Sequence, residues 1–240
     1  LNTNSTPSPA PACPATATVI AKRPGPARID QAIDALLRQI THPTGDPAMT
    51  SSSPLIIGLA GKARHGKDTV ADYLVQHHGF VRLAYADAIR DMLECGLGIE
   101  PRYLATDKEA IIPWLGVTGR HLMQTLGTEW GRSHVRPDLW RLLLARKVDA
   151  LADDADRIVI SDVRFRNEAD WVRGALRGHL WHIYRPGLAG GPSGDHASEA
   201  GITIYPGERY LINKEGDFAY LYDAIEDILK ATLTRDAAAA

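Results

Sequence analysis

Cysteine is scarce: Cys13 and Cys95 are the only two in 240 residues. Two cysteines exclude a framework of several disulfides, and a reducing compartment is the simpler expectation. Long apolar runs are also missing. No stretch approaches the roughly 20 residues of a membrane-spanning helix. The N-terminus has no charged segment followed by an apolar core, so no secretory signal is expected. Excess charge of one sign is absent too. A formal net charge of −2 supplies no bulk attraction to DNA or anionic lipid, so neither stable nucleic acid nor a membrane is an expected partner. No Gly-x-Ser-x-Gly elbow occurs, and Cys95 has no adjacent partner that would activate it as a nucleophile. His179 and His182 lie three apart on an expected strand, which points them to opposite faces. His77 and His78 end an expected helix, where the dipole accounts for them.

What is present is ordinary globular material. Hydrophobic residues make up 45% of the chain and charged residues 23%, enough for one or two cores. Residues 1–52 stand apart. "NTNSTPSPAPACPATATVIAKRPGPAR" is rich in Pro, Ala, Thr and Ser and lacks the large apolar residues that offset ordering entropy, so disorder is expected. Apolar spacing allows a short helix over 29–40. Met49 precedes the first convincing strand, and one expectation is that it is the natural start, with the upstream residues an extension or a mis-called reading frame.

From residue 55 onward strands and helices alternate. Strands are expected over 55–60, 80–84, 157–161, 180–184 and 210–212. Helices are expected over 68–77, 86–95, 120–130, 137–152, 167–177 and 218–233. Gly79 and Gly178 serve as helix stops and Pro137 as a first helical residue. Residues 96–119 read as loop-rich, and 185–196 as a mobile glycine- and proline-rich loop. Such alternation implies parallel crossover units and an α/β fold of three layers.

The segment Gly61–Lys67, "GKARHGK", spaces two glycines around four residues and adds a lysine. Glycines permit a tight turn whose N–H groups face inward at phosphate oxygens. Lys67 supplies a positive charge, and the following helix presents its positive dipole end to the same anion. Position 68, where a hydroxyl would normally bind Mg²⁺, is Asp68. A carboxylate can hold Mg²⁺ directly or through water, with the Thr69 hydroxyl beside it. A first-turn acid that merely complements the dipole explains Asp68 equally well.

A second pocket is suggested by "RIVISDVRFRNEADW". An apolar strand runs into Asp162, Arg164 and Arg166, and carboxyl ends of parallel strands are where α/β sheets place ligands. Asp162 could orient Mg²⁺ or its waters, and Arg164 could clamp a phosphate through both nitrogens. A cap for the next helix, with solvated arginines, is the bland alternative. "LMQTLGTEWGRSHVRPDLW" gathers Gln124, Glu129, Trp130, Arg132 and Arg136 near a helix end. That set could stack on a base and hold a phosphate, although an amphipathic helix with two core tryptophans fits the pattern better. In "LAYADAIRDML", Asp87 and Arg90 open a helix.

Taken in order, "GKARHGKDTVADYL", "LAYADAIRDML", "LMQTLGTEWGR", "PDLW", "VISDVRFRNEADWVR", "YRPG", "DHASE" and "LINKEGDFAYLYDAIEDIL" resemble the deoxynucleoside monophosphate kinases of tailed bacteriophages. The resemblance covers residues 55–233, and Gly-Lys-Asp-Thr is the usual form of its loop. It implies a P-loop kinase domain over 53–235, similar to nucleoside monophosphate kinases. A parallel sheet would be flanked by helices, a mostly helical acceptor-binding insertion would occupy about 86–152, and 236–240 would be a tail. It further implies transfer of the terminal phosphoryl group of ATP to a deoxynucleoside monophosphate with Mg²⁺ as cofactor, a possible homodimer, and action in the host cytoplasm.

By the same resemblance Gly61, Lys62, Ala63, Arg64, His65, Gly66, Lys67, Asp68 and Thr69 hold the donor phosphates, with Arg185 near the donor base. Lys67, Arg64, Arg164 and Asp162 are the expected catalytic set. Asp87, Arg90, Gln124, Trp130, Arg132, Arg164, Asn167 and Glu168 are expected at the acceptor, and Asp68, Thr69 and Asp162 at the metal. Arg166, where the family often has Pro, and the "NKEG" turn depart from the family pattern and bear on substrate preference. A P-loop kinase with another acceptor such as phosphomevalonate, or a silent ATP-binding interaction protein, remain the alternatives.

Overall fold

Leu55–Ala60 is apolar or small at every position, and it forms β1, the central strand of a five-stranded parallel sheet. The computed structural model describes residues 54–151, 154–188, 202–214 and 216–239, with side chains as far as 235. The expected helix over 29–40, the extension before Met49 and most of the loop after Leu188 lie outside the described residues. After β1 come α1 (Lys67–His78), β2 (Val81–Leu83), α2 (Asp87–Leu97), α3 (Pro101–Ala105) and α4 (Gly119–Gln124). A π-helical segment follows (Thr125–Val135), then α5 (Leu139–Leu151), β3 (Arg157–Val163) and α6 (Arg166–Arg173). Last are β4 (His179–Tyr184), β5 (Arg209–Ile212) and α7 (Phe218–Ala239). The strand order is β2-β3-β1-β4-β5, and every neighbouring pair is parallel.

Alternate strand residues feed two separate cores, as a period of two requires. On one face Ile56, Ile158, Ile160 and Leu180 meet Ile89 and Leu93 of α2, Trp140, Leu144 and Val148 of α5, and Val172 of α6. On the other face Ile57, Leu59, Val159, Trp181, Ile183 and Leu211 meet Val70, Ala71 and Leu74 of α1, and Leu221, Ile225 and Leu229 of α7. Burial on both sides is why β1 has no polar face. Each such aliphatic side chain contributes roughly 1.5–3 kcal/mol. The three-layer α/β architecture is the one expected from the alternation of elements.

Several boundaries differ from the sequence reading. The expected helix over 120–130 is α4 continued by the π-helical segment to Val135. Wider turns there accompany a close approach to α5. Trp140 Nε1 donates to Gly127 O at 2.6 Å, and a Cβ on Gly131 would stand 2.4 Å from the Trp140 ring. The helix expected over 137–152 starts later, at Leu139, because the Pro137 carbonyl instead receives Arg132 and Asn167. The helix expected to close at Gly178 ends at Arg173. Gly178 serves tight packing, since a Cβ there would lie 2.9 Å from Ile56 O. The loop-rich 96–119 contains α3, opened by Pro101. The last helix runs on to Ala239, through alanines whose helix propensity is the highest of any residue.

β3 carries the irregularity that matters most. Gly58 pairs with Ile160 but Ala60 pairs with Val163, so Ser161 and Asp162 together oppose Leu59. One extra residue in a strand bends it and re-aims a side chain. Here it returns Val163 to the core face of Ile160 and turns Asp162 towards the β2–α2 turn.

Candidate active site

Ala60 ends β1 and Lys67 begins α1, so six residues must turn the chain back on itself. Two glycines make this possible. Gly61 has φ 146°, and a Cβ there would lie 2.4 Å from Ile183 O of β4. Gly66 caps α1 with φ 99°, and a Cβ would lie 2.2 Å from Asn213 Nδ2. That amide donates to His65 O at 3.0 Å and ties the loop to the end of β5. Arg64 adopts φ 64° without being glycine, a conformation of the kind that clusters at functional sites. Lys67 is buried, and its ammonium donates to Gly61 O at 2.6 Å and Lys62 O at 2.8 Å. The positive charge is thereby held at the mouth of the loop, beside the amino end of α1.

A cavity of about 270 Å³ opens there. Arg64, Gly66, Lys67, Asp68 and Thr69 line one side, and Arg185, Asn213, Lys214 and Phe218 the other. Four cations and one carboxylate around glycine amides suit a polyanion. Of the expected donor-site residues, Arg64, Gly66, Lys67, Asp68, Thr69 and Arg185 meet in this cavity. Gly61, Lys62, Ala63 and His65 build the loop without lining it. His65 is buried against Tyr184, with Nδ1 3.3 Å from Ile183 O.

Asp68 is exposed and forms an ion pair with Arg82 of β2. Arg82 also reaches Asp72 at 2.7 Å and Ser161 Oγ at 3.2 Å, linking α1 to β3. Asp162 accepts the backbone N–H groups of Tyr85 (2.7 Å) and Ala86 (3.0 Å). Asp87 accepts Ala84 N–H at 2.8 Å and pairs with Arg90 at 2.9 Å, the behaviour of an acid at a helix start. Both acids therefore hold the turn between β2 and α2.

Glu168 is the most buried acid near the site, 1% exposed. One carboxylate oxygen meets Arg132 Nη2 at 2.5 Å, and the other accepts the N–H groups of Arg164 (2.8 Å) and Phe165 (3.1 Å). Burial pushes its pKa from 4.5 up to about 7, with Asp162 adding to the rise while Arg132 and the two amides oppose it. Arg132 lies over the Phe165 ring at 3.8 Å and donates to Pro137 O, as does Asn167. The Tyr85 hydroxyl sits 3.4 Å from Glu168 O, and burial raises its pKa. Asp162, Arg164, Asn167, Glu168 and Arg132 thus form one cluster. Gln124 is half-buried, Trp130 is 43% exposed, and among the described residues neither bonds to it. Of the two tryptophans expected in the core, only Trp140 is there.

A sequence model of the family described as deoxynucleotide monophosphate kinase matches residues 104–225, half of the chain. The chain belongs to the deoxynucleotide monophosphate kinase family. A protein of Acanthamoeba polyphaga mimivirus with the name "Putative deoxynucleotide monophosphate kinase" is 32% identical over 67% of this chain and 89% of its own length. The deoxynucleoside-5'-monophosphate kinase of Escherichia phage T5 is 31% identical over 48% of each chain. TT1252 from Thermus thermophilus superposes with a TM-score of 0.42 at 20% identity, covering 77% of this chain and 98% of that one, too distant to bear on function.

The family match spans the Arg132–Glu168 cluster but begins after the phosphate loop. Asn213, Lys214 and Phe218 were missed as site residues by the sequence reading, as was Arg82. The "LINKEG" segment carries the first two, yet nothing local pairs it with a loop 148 residues away. The Gly66–Asn213 contact makes a sharp expectation for this kinase family member. Gly66→Ala should cost about 2 kcal/mol or more, from left-handed strain and the displaced amide, and should weaken the binding of polyanions in the cavity. Thermal unfolding and titration with tripolyphosphate check it; an unchanged midpoint with unchanged affinity would contradict the loop geometry.

Proposed function

We propose that the protein transfers the terminal phosphoryl group of ATP, with Mg²⁺, to a deoxynucleoside monophosphate, giving the diphosphate for DNA precursor synthesis. One observation carries this reading. Ala60 pairs with Val163, so the loop that leaves β1 stands beside Arg164 as it leaves β3. A cationic cavity and a buried Arg–Glu cluster are therefore neighbours at the carboxyl edge of the sheet, as in-line transfer between two bound nucleotides requires.

In this assignment Lys67 and Arg64 hold the donor phosphates and Arg185 and Phe218 the donor nucleoside. Arg132 and Arg164 hold the acceptor, and Glu168 fixes the direction of Arg132. Asp162 acts by holding the β2–α2 turn against the site. The residues fit Mg²⁺ modestly but sufficiently. No group of three metal-binding side chains occurs among the described residues, and Mg²⁺ in such enzymes uses one or two protein oxygens plus phosphates and water. Asp68 and Thr69 at the cavity wall are the candidates. When bound, the ion would neutralise charge on the phosphates. Little covalent chemistry is asked of the chain, so positioning and positive charge supply the catalysis.

Incubation with ATP, Mg²⁺ and each of the four common deoxynucleoside monophosphates, with diphosphate measured, tests the proposal. Turnover of at least one is expected. No diphosphate from any of them, despite measurable ATP binding, would sink it.

A further inference from the structure

Asn213 follows β5 directly and is 8% exposed. Its backbone N–H donates to Tyr184 O at 2.7 Å, which fixes it to the end of β4. The residue lines the cavity, and its Nδ2 donates to His65 O at 3.0 Å. A carbonyl oxygen can only accept, so the amide nitrogen must face it. This bond does more than tie two segments together, because it fixes a peptide plane. In a trans peptide the C=O of one residue and the N–H of the next point in opposite directions, and no cis bond occurs among the described residues. With His65 O held against Asn213, the Gly66 N–H is turned away from it. Gly66 also lines the cavity, and among the described residues its N–H has no hydrogen-bond partner.

Gly66 does not hold this orientation by itself. Turning the His65–Gly66 peptide over changes ψ of His65 and φ of Gly66, and glycine accepts φ of either sign. The His65 ring lies against Ile183 O, and Gly66 O accepts Val70 N–H at 3.1 Å. Neither contact involves the peptide between them. The reversed orientation would exchange an N–H for a carbonyl oxygen, at the wall of a cavity otherwise suited to a polyanion. We propose that Asn213 is a positioning residue, which locks the His65–Gly66 peptide with its N–H towards bound phosphate. Without that lock the loop would lose a donor and gain an acceptor in the same place. The role rests on the kinase reading above only in taking the phosphate to be the donor's.

Asn213→Leu keeps the approximate size and removes the donor. Asn213→Asp keeps the shape and cannot donate when ionised. Tripolyphosphate, titrated without metal at neutral pH, is the probe, with binding followed by calorimetry and by the Gly66 amide resonance. In the wild type that resonance should move downfield, as a new hydrogen bond to an anion requires. The leucine variant should bind at least about tenfold more weakly, the loss expected for one hydrogen bond to a charged group, and the aspartate variant should lose at least as much. The Gly66 resonance of either variant should no longer move downfield, and the unfolding midpoint should fall by only about a few degrees. A wild-type Gly66 resonance unmoved at saturation, or no binding by the wild type, would overturn the proposal. So would affinity within about threefold of wild type in either variant, and a lowered midpoint with that affinity would mark a purely structural role. If the wild type binds tripolyphosphate but phosphorylates no deoxynucleoside monophosphate, the kinase reading fails, and the Gly66 resonance with the variant affinities decides Asn213 separately.

Discussion

Replacing Lys67 with alanine should lower phosphoryl transfer by three orders of magnitude or more while leaving the protein folded. The ammonium sits at the mouth of the loop with two of its donors on Gly61 O and Lys62 O. Arg64, Arg185 and Lys214 line the same cavity, but of these four cations Lys67 is the buried one. Charge that develops on the transferring group would lose its nearest fixed counter-charge, in a transition state stabilised almost wholly by such charges. The effect on folding runs two ways. Two charge-assisted hydrogen bonds disappear, but so does a buried ammonium, and Lys62 is exposed enough for water to serve its carbonyl. Net change should stay within about 1–2 kcal/mol, or a few degrees in midpoint for a domain of this size. A coupled assay and a thermal melt check both halves. Residual kcat within tenfold of wild type would refute the assignment of the loop.

Much of the fold was legible because its signals are local. The apolar run of β1 was read to the residue, since burial on both faces leaves no polar position to blur its ends. Gly79 stops α1 in the left-handed conformation that its lack of a Cβ allows. The phosphate loop was legible for the same reason: its two glycines answer steric demands that no other residue meets. What escaped depends on register and distance. The extra residue in β3 exists only relative to its pairing with β1, so no pattern in "VISDVRF" announces that Asp162 will turn back to the Tyr85 and Ala86 amides. The π-helical turns follow from Trp140 pressing on Gly127 and Gly131, a contact between two elements. Asp68 looked like a metal ligand or a helix acid, and its partner Arg82 could not be foreseen because β2 approaches α1 only in the folded sheet.

Arg132→Met should cost about 3–5 kcal/mol of stability, and the loss should grow as pH rises above 7. Removing one member of a buried pair leaves the other without compensation. Glu168 is 1% exposed, and the variant retains its two backbone donors, from Arg164 and Phe165, but loses the ion pair with Arg132. In the wild type the carboxyl has a folded pKa of about 7 against 4.5. Between those values the folded state binds more protons than the unfolded state, so stability falls as pH rises, and above about 7 the two states lose protons alike. Without Arg132 the folded pKa moves higher still. Below pH 7 both proteins then lose stability at the same rate, and above it the wild type levels off while the variant continues to fall. Part of the cost is independent of pH, since Arg132 also packs on Phe165 and bonds Pro137 O. Urea unfolding at pH 5 and pH 9 separates the two contributions. If the difference between the proteins is the same at both pH values, the carboxyl is not what Arg132 compensates. Acceptor affinity should fall in the same variant. Arg132→Met/Glu168→Gln should then recover stability at pH 9 without recovering acceptor affinity, because the amide needs no counter-charge whereas an acceptor phosphate still does.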